Sequence, residues 1–372
     1  MGNGSGGKMK KTAVSIVIPT FNRSGMIVRS LESVLASVSP DDEVIVVDDG
    51  STDDTASVLK PYLGRIHYVA TPNGGVGAAR NCGMARATRP LIAFNDSDDE
   101  WFADKLALQR AFMQARPDVV FCFTNIGLKS DDGTERRNGL FAWHGDTRGW
   151  DELMAPAVLY SSVAPLPKGR GDFKVHIGSI HKTMLRTNYV ATQSSIIRRD
   201  SVGPGLRFAD DVRIHEEYNF FINLSKVGNA AYFDTETVWQ WGHDDIRLSA
   251  ANDFIFATER IKVLMRTYGL DENFLSAHRK EYEEEIKAAR YKRARWLIRS
   301  GQMDEAREDL RLAGDRSISY RVLTSIPGSV MRKAVHLKGQ LARLVPHLGA
   351  RGWRNIPLSR LSPGKPMPRN RD

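Results

Sequence analysis

The chain has 372 residues, 41% of them apolar, enough to fill the core of a large α/β domain with additions. Its net charge of +9 is unevenly placed: residues 331 to 372 hold ten Lys and Arg against Asp372, leaving 43 basic and 43 acidic residues elsewhere, so overall basicity does not argue for a nucleic-acid partner. No apolar run reaches the ~18 to 20 residues of a membrane-spanning helix, "MGNGSGGKMKK" lacks a signal-peptide core, and Cys82 and Cys122 form neither a disulfide framework nor a zinc spacing, which points to reduced thiols in a cytoplasmic protein.

Residues 14 to 18, "VSIVI", read as a buried strand stopped by Pro19, and Ile27, Leu31, Val34, Leu35 and Val38 then recur at helical spacing. "EVIVV" at 43 to 47 is a second strand, and "DDGSTDDT" after it can cap a helix running through Leu59. A third strand is "IHYVA" at 66 to 70, the Gly-rich stretch 74 to 87 is a loop running into a helix, and "LIAFN" at 91 to 95 is a fourth strand. Alternating strands and helices predict a Rossmann-like, mostly parallel sheet with helices on both faces, binding its ligand at the carboxyl ends of the strands. Those ends carry the acids: Asp48 and Asp49, then Asp96, Asp98, Asp99 and Glu100.

From 129 to 190 the periodicity weakens, which reads as an irregular, substrate-facing insertion. Regular patterns return at 192 to 199, in the helix-like "HEEYNFFINLSKVG" at 215 to 228, and in the strand-like 230 to 241. Beyond Ala251 the pattern is helical, with one helical hairpin at 294 to 313. The resulting division is 1–12 flexible, a strand-and-helix half at 13–128, a second half at 129–250 that contains the irregular insertion, a helical extension at 251–330, and a basic tail at 331–372. In that tail Val330, Ala334, Leu337, Leu341 and Leu344 fall at helical spacing beside basic residues. Two readings of 330–345 stand: a basic amphipathic helix at an anionic cytoplasmic membrane face, or a helix docked on its predecessors.

"VSIVIPTFNR", "EVIVVDDGSTDDT", "NGGVGAARN" and "LIAFNDSDDEW", in that order and spacing, resemble the family 2 glycosyltransferases of the GT-A fold, as do "HEEYNFF" and "WGHDDIRLS" further on. The resemblance implies a metal-dependent, inverting transfer of a sugar from a nucleotide-sugar, most commonly a UDP-sugar, to a glycan or lipid-linked acceptor, with no nucleic acid involved. It places the donor against Pro19, Thr20, Phe21, Asn22, Asp49, Arg80 and Asp96, with Phe21 where the family usually has a Tyr that stacks on uracil and Asp49 accepting from uracil N3. Arg80 would face the diphosphate. Asp98 and His243 would ligate Mn²⁺ or Mg²⁺, with Asp99 and Glu100 as support. The second acid of the family's Glu-Asp pair falls on Glu217, which is implied to be the base that activates the acceptor hydroxyl, one methylene longer than the usual Asp.

The acid cluster has a physical rationale beside the resemblance. Unit charges ~4 Å apart repel by about 4 kcal/mol near a protein surface, and a hard divalent ion relieves that repulsion while neutralising a diphosphate. Two other function classes remain open from sequence: a nucleotidyltransferase on a similar fold, which would want a basic Gly-rich motif near the N-terminus, and a non-catalytic sugar-nucleotide or polyanion-binding protein.

Overall fold

The computed structural model describes residues 12–130, 132–203, 205–212, 214–242, 253–314, 325–330 and 333. The chain divides into two compact units, Met1–Ala289 and Arg290–Asp372. The boundaries read from sequence at 128 and 250 fall inside the first.

The first unit begins β1 (Val14–Thr20), α1 (Ile27–Leu35), β2 (Glu43–Asp48), α2 (Thr55–Leu59), β3 (His67–Ala70), α3 (Val76–Arg86) and β4 (Leu91–Phe94). It continues β5 (Glu100–Trp101), α4 (Lys105–Ala115), β6 (Val119–Ser130), β7 (Glu135–Arg136), α5 (Gly139–His144), α6 (Trp150–Leu153), β8 (Val158–Leu159), β9 (Lys174–Gly178) and β10 (Ile196–Arg198). Then come α7 (Glu216–Ser225), β11 (Asn229–Gly242), α8 (Asp253–Thr267) and α9 (Glu272–Ser300), whose residues from Arg290 onward belong to the second unit together with α10 (Met303–Leu312).

One sheet orders its main strands β3-β2-β1-β4-β10-β6-β11-β9-β8, with β5 paired to β11 and β7 to β6. β2, β3 and β4 run parallel to β1, and β10 is antiparallel to both β4 and β6. β6 and β11 are parallel, whereas β9 reverses against β11 and β8 reverses again. Among the described residues, therefore, only β10 and β9 on this path oppose β1, and the sheet is mostly parallel as the alternation predicts. β1 is buried on both faces along its whole length, paired on both edges and with α3 packed against it, which is why its apolar run is continuous rather than alternating. α3 packs close on it: a Cβ at Gly83 would stand 2.3 Å from Val17 Cγ1. Glycine there lets the helix that carries Arg80 approach the strand.

The stretch 129 to 190 is irregular but contributes to the sheet. β9 pairs with β11 from Val175↔Phe233 to Gly178↔Ala230, and β8 adds the edge strand. A five-residue strand of this kind is specified by its long-range partner more than by its own composition, so its period is faint in the sequence. The insertion is tied down by Trp150 stacked on Tyr232, ring centroids 3.8 Å apart, and by buried Asp146, which accepts from Tyr189 Oη at 2.5 Å and Arg148 Nη2 at 2.7 Å.

In the second unit, buried Asp309 on α10 accepts from Arg290 at 3.1 Å and from Arg293 Nε at 2.6 Å. Gly301, at φ +74°, makes the turn before α10, in the left-handed region that glycine adopts most readily. Residues 334–372, and with them most of the basic tail, lie outside the described residues. No described helix is long and apolar enough to cross a membrane.

Candidate active site

A cleft of about 790 Å³ opens at the carboxyl ends of β1, β2 and β4, and its walls include Pro19, Thr20, Phe21, Asn22, Asp49, Arg80, Asp96 and Asp98. The structure thus brings together eight of the ten residues expected from sequence. Glu217 is not among the lining residues, although its neighbour Glu216 is. His243 lies outside the described residues.

The first wall is two laced loops. Past the end of β1, Phe21 is 42% exposed, a bare aromatic face at the cleft. Asn22 sits at φ +50°, a conformation asparagine tolerates better than most residues. Its N–H donates to Ser51 Oγ at 2.9 Å and its Oδ1 accepts from Thr52 N at 2.8 Å. Ser51 and Thr52 are therefore used across the cleft rim, and the α2 N-terminus is served instead by Asp53, whose Oδ1 accepts from Thr55 N at 3.0 Å. After β2, Asp48 accepts from Tyr68 Oη at 2.6 Å, while the two oxygens of Asp49 accept from Gly74 N and Gly75 N, each at 2.8 Å. Asp49 shapes the 73–75 loop, and each oxygen retains a further lone pair for a ligand N–H.

The opposite wall is a charge network. Arg80 is buried on α3, and its fork spans Asp96 Oδ1 at 2.7 Å and Glu216 Oε1 at 2.9 Å. Burial works against the guanidinium's charge, but Asp96 and Glu216 outweigh it and hold Arg80 above the ordinary arginine range. Asp96 is displaced upward by burial and by Asp98 despite its bond to Arg80, and Glu216 is raised by burial and by Glu217. One buried cation thus faces more negative charge than it balances. Glu217 is half-buried on the first turn of α7, with Asn188 Nδ2 3.5 Å from its Oε1.

The turn after β4 is held from α1 and β11. Ser30 Oγ donates to Asp96 O at 2.9 Å, Arg29 Nη2 to Asp98 O at 3.2 Å, and Trp241 N to Asp99 Oδ1 at 3.1 Å, while Arg29 Nε pairs with Glu100 at 2.7 Å. This leaves Asp98 at the cleft with Arg23 Nε 3.9 Å from its Oδ2. Among the described residues no three His, Cys, Asp or Glu side chains converge as a closed metal cage. A hard divalent ion that takes one or two carboxylates and completes its shell with substrate phosphate needs no such cage, and the oxygens of Asp98 suit it.

Sequence reasoning did not place Arg23, Asn73, Glu216 or Gln240 at the cleft, and the structure does. Gln240 had a usable signal: it alternates with Trp239 and Trp241 on β11, so period two sends it to the other face. The others depend on where loops and α7 land.

Residues 15–171 match the family model described as glycosyl transferase family 2. This segment is a family 2 glycosyltransferase domain. Its relatives include TuaG of Bacillus subtilis, a glycosyltransferase named for teichuronic acid biosynthesis, 41% identical over 128 residues that make up 33% of this chain and 50% of TuaG. An uncharacterised glycosyltransferase of Rickettsia felis is 42% identical over 222 residues, 58% of this chain and 35% of that protein. WfaP of Escherichia coli, named as a UDP-Glc:α-D-GlcNAc-diphosphoundecaprenol β-1,3-glucosyltransferase, is 34% identical over 121 residues, 32% of this chain and 47% of WfaP. The chain thus spans half or less of the length of these relatives. The crystal structure of Staphylococcus aureus TarS 1–349 with UDP-GlcNAc superposes with a TM-score of 0.54 at 15% identity, covering 81% of each chain. The family 2 domain of this protein therefore has the GT-A fold.

Proposed function

We propose that this chain is a metal-dependent, inverting glycosyltransferase that moves a sugar from a UDP-sugar to a hydroxyl of a glycan or lipid-linked acceptor. The observation that carries the reading is Arg80, which bridges the acidic end of β4 to an acid of α7 that is 136 residues away in the chain. It joins the two motifs the chemistry needs into one cleft. The donor base would stack on Phe21 and give its ring N–H to Asp49, and Arg80 would orient Asp96 toward the donor ribose and sugar while offering positive charge to the diphosphate. A divalent ion held by Asp98, with His243 as a further ligand, would supply neutralisation of the departing nucleoside diphosphate. Mn²⁺ suits an imidazole beside carboxylates, and Mg²⁺ suits the carboxylates alone.

Glu217 takes the acceptor's proton. Glu216 is engaged by Arg80, whereas Glu217 is half-exposed beside Asn188, so an acceptor hydroxyl can reach it. A base acting opposite the leaving group in a single displacement inverts the anomeric carbon. The UDP donor and the lipid-linked acceptor class are supported by the activity for which WfaP is named. A cytoplasmic location with the basic tail at the membrane face accords with this reading; co-sedimentation with anionic liposomes checks it, and equal pelleting of a chain ending at Gly328 removes the tail's part.

The deciding experiment measures nucleotide release from UDP-, GDP- and dTDP-sugars, with and without a chelator, for the wild type and Glu217→Gln. Release should be greatest with a UDP-sugar and abolished by the chelator. It should fall ~10² to 10⁴-fold in Glu217→Gln while donor binding persists. Full activity after chelation ends the metal role of Asp98, and retention of the anomeric configuration ends single displacement.

A further inference from the structure

Two arginines line the cleft, and they are held very differently. Arg80 is committed, its fork within 2.9 Å of two carboxylates and its side chain 6% exposed. Arg23 is 20% exposed, its Nη1 donates to Asn22 O at 3.3 Å, and its Nε stands 3.9 Å from Asp98 Oδ2, too far for a hydrogen bond, so the Asp98 contact is one of charge alone. Its backbone is fixed all the same. Arg23 N donates to Thr55 Oγ1 at 3.1 Å, its carbonyl accepts from Met26 N and Ile27 N at 2.9 Å, and Ser24 N donates to Asp53 at 3.0 Å. A rigid base thus carries a long cationic arm that stands beside the carboxylate assigned to the metal.

An arginine and a divalent ion cannot share Asp98 closely, because like charges ~4 Å apart repel by several kcal/mol near a surface, and more when one is divalent. When an ion binds, the guanidinium must turn from Asp98. The ion arrives with a diphosphate, whose oxygens match a guanidinium fork. We propose that Arg23 is a second diphosphate-binding arginine, which holds Asp98 in the free protein and exchanges that carboxylate for phosphate when the metal nucleotide enters. This rests on the glycosyltransferase reading above, since it needs a nucleoside diphosphate in the cleft.

The exchange predicts opposite changes for the two ligands. Calorimetry with MnCl₂ alone, and with UDP, GDP and dTDP at saturating Mn²⁺, is run on the full chain and on Arg23→Met and Arg23→Lys, with thermal melts to confirm folding. Arg23→Met should bind Mn²⁺ alone more tightly, because a competing cation is gone. It should bind the best of the three nucleotides with Mn²⁺ roughly tenfold more weakly, as expected for loss of a charge-assisted hydrogen bond. Arg23→Lys should fall between, keeping the charge without the fork, and UMP, which has no β-phosphate, should be bound alike by all three. Unchanged nucleotide affinity in Arg23→Met overturns the inference while leaving the glycosyltransferase reading intact. Weakening of both ligands also overturns it and makes Arg23 a scaffold of the rim. If the wild type binds none of the three nucleotides, the functional reading fails and the exchange fails with it, whereas the Mn²⁺ titration still decides whether Arg23 guards Asp98.

Discussion

Arg80 and Lys105 are both buried cations of the first unit, one in the cleft and one at the start of α4, and their surroundings are opposite. Arg80 is met by Asp96 and Glu216 and stays charged. Lys105 donates to Gln109 Oε1 at 2.5 Å and lies 4.4 Å from the Trp101 ring, while Gln109 donates onward to Ser194 O at 2.8 Å. Burial pushes the Lys105 ammonium down to about 7. Nearby Cys122 offers no counter-charge, since burial raises its thiol to about 12. A neutral amide and an aromatic face do not replace the hydration of an ammonium, whereas two carboxylates in hydrogen-bonding geometry largely do. Buried charge in the cleft is therefore paired, and buried charge under α4 is a standing cost to stability.

The comparison breaks most visibly at Arg80. Arg80→Met strands Asp96 and Glu216 without their cation, and denaturant melts should show a loss of about 3 to 5 kcal/mol, together with loss of nucleotide binding. If stability is unchanged, the network is not the coupled unit its distances describe. Lys105→Met should move the other way, by about 1 to 3 kcal/mol of added stability at pH 6, with turnover unaffected, because a desolvated ammonium is exchanged for an apolar chain of similar length at the cost of one unpaired amide oxygen.

The pH dependence of that difference is the sharper measurement. An unfolded lysine titrates at about 10.5, so between about 7 and 10.5 the unfolded chain holds a proton that native Lys105 has released. The Lys105 contribution to stability therefore rises with pH across this window. Its penalty is complete below about 7 and gone above about 10.5. The advantage of Lys105→Met should shrink over the same range, and a pH-independent difference would mean that the ammonium is hydrated in the native state. The smallest expected change is Glu216→Gln, which keeps an acceptor for Arg80 but removes a charge. We expect about 1 to 2 kcal/mol of altered stability and a weaker donor affinity, with far less loss of turnover than in Glu217→Gln. A larger loss of turnover at Glu216 would move the base by one residue.

Much of the molecule was legible in the order of its residues. Continuous β-branched runs alternating with helical spacing are local patterns, and they specified β1 to β4 and the helices between them. The rule that α/β ligands bind at strand carboxyl ends then pointed to Asp49, Asp96 and Asp98, the family resemblance added Phe21, and all four line one cleft. Tertiary structure decided the partners. That Arg80 takes Glu216 together with Asp96, that Asp49 spends hydrogen bonds on Gly74 and Gly75, that Arg23 stands beside Asp98, and that Lys105 has an amide where a carboxylate would serve it better all depend on contacts between distant segments. The periods of helix and strand carry no record of such contacts. A residue's type states what charge it can bring, whereas its burial and the groups that meet it decide how that charge is used, and both exist only once the chain has packed.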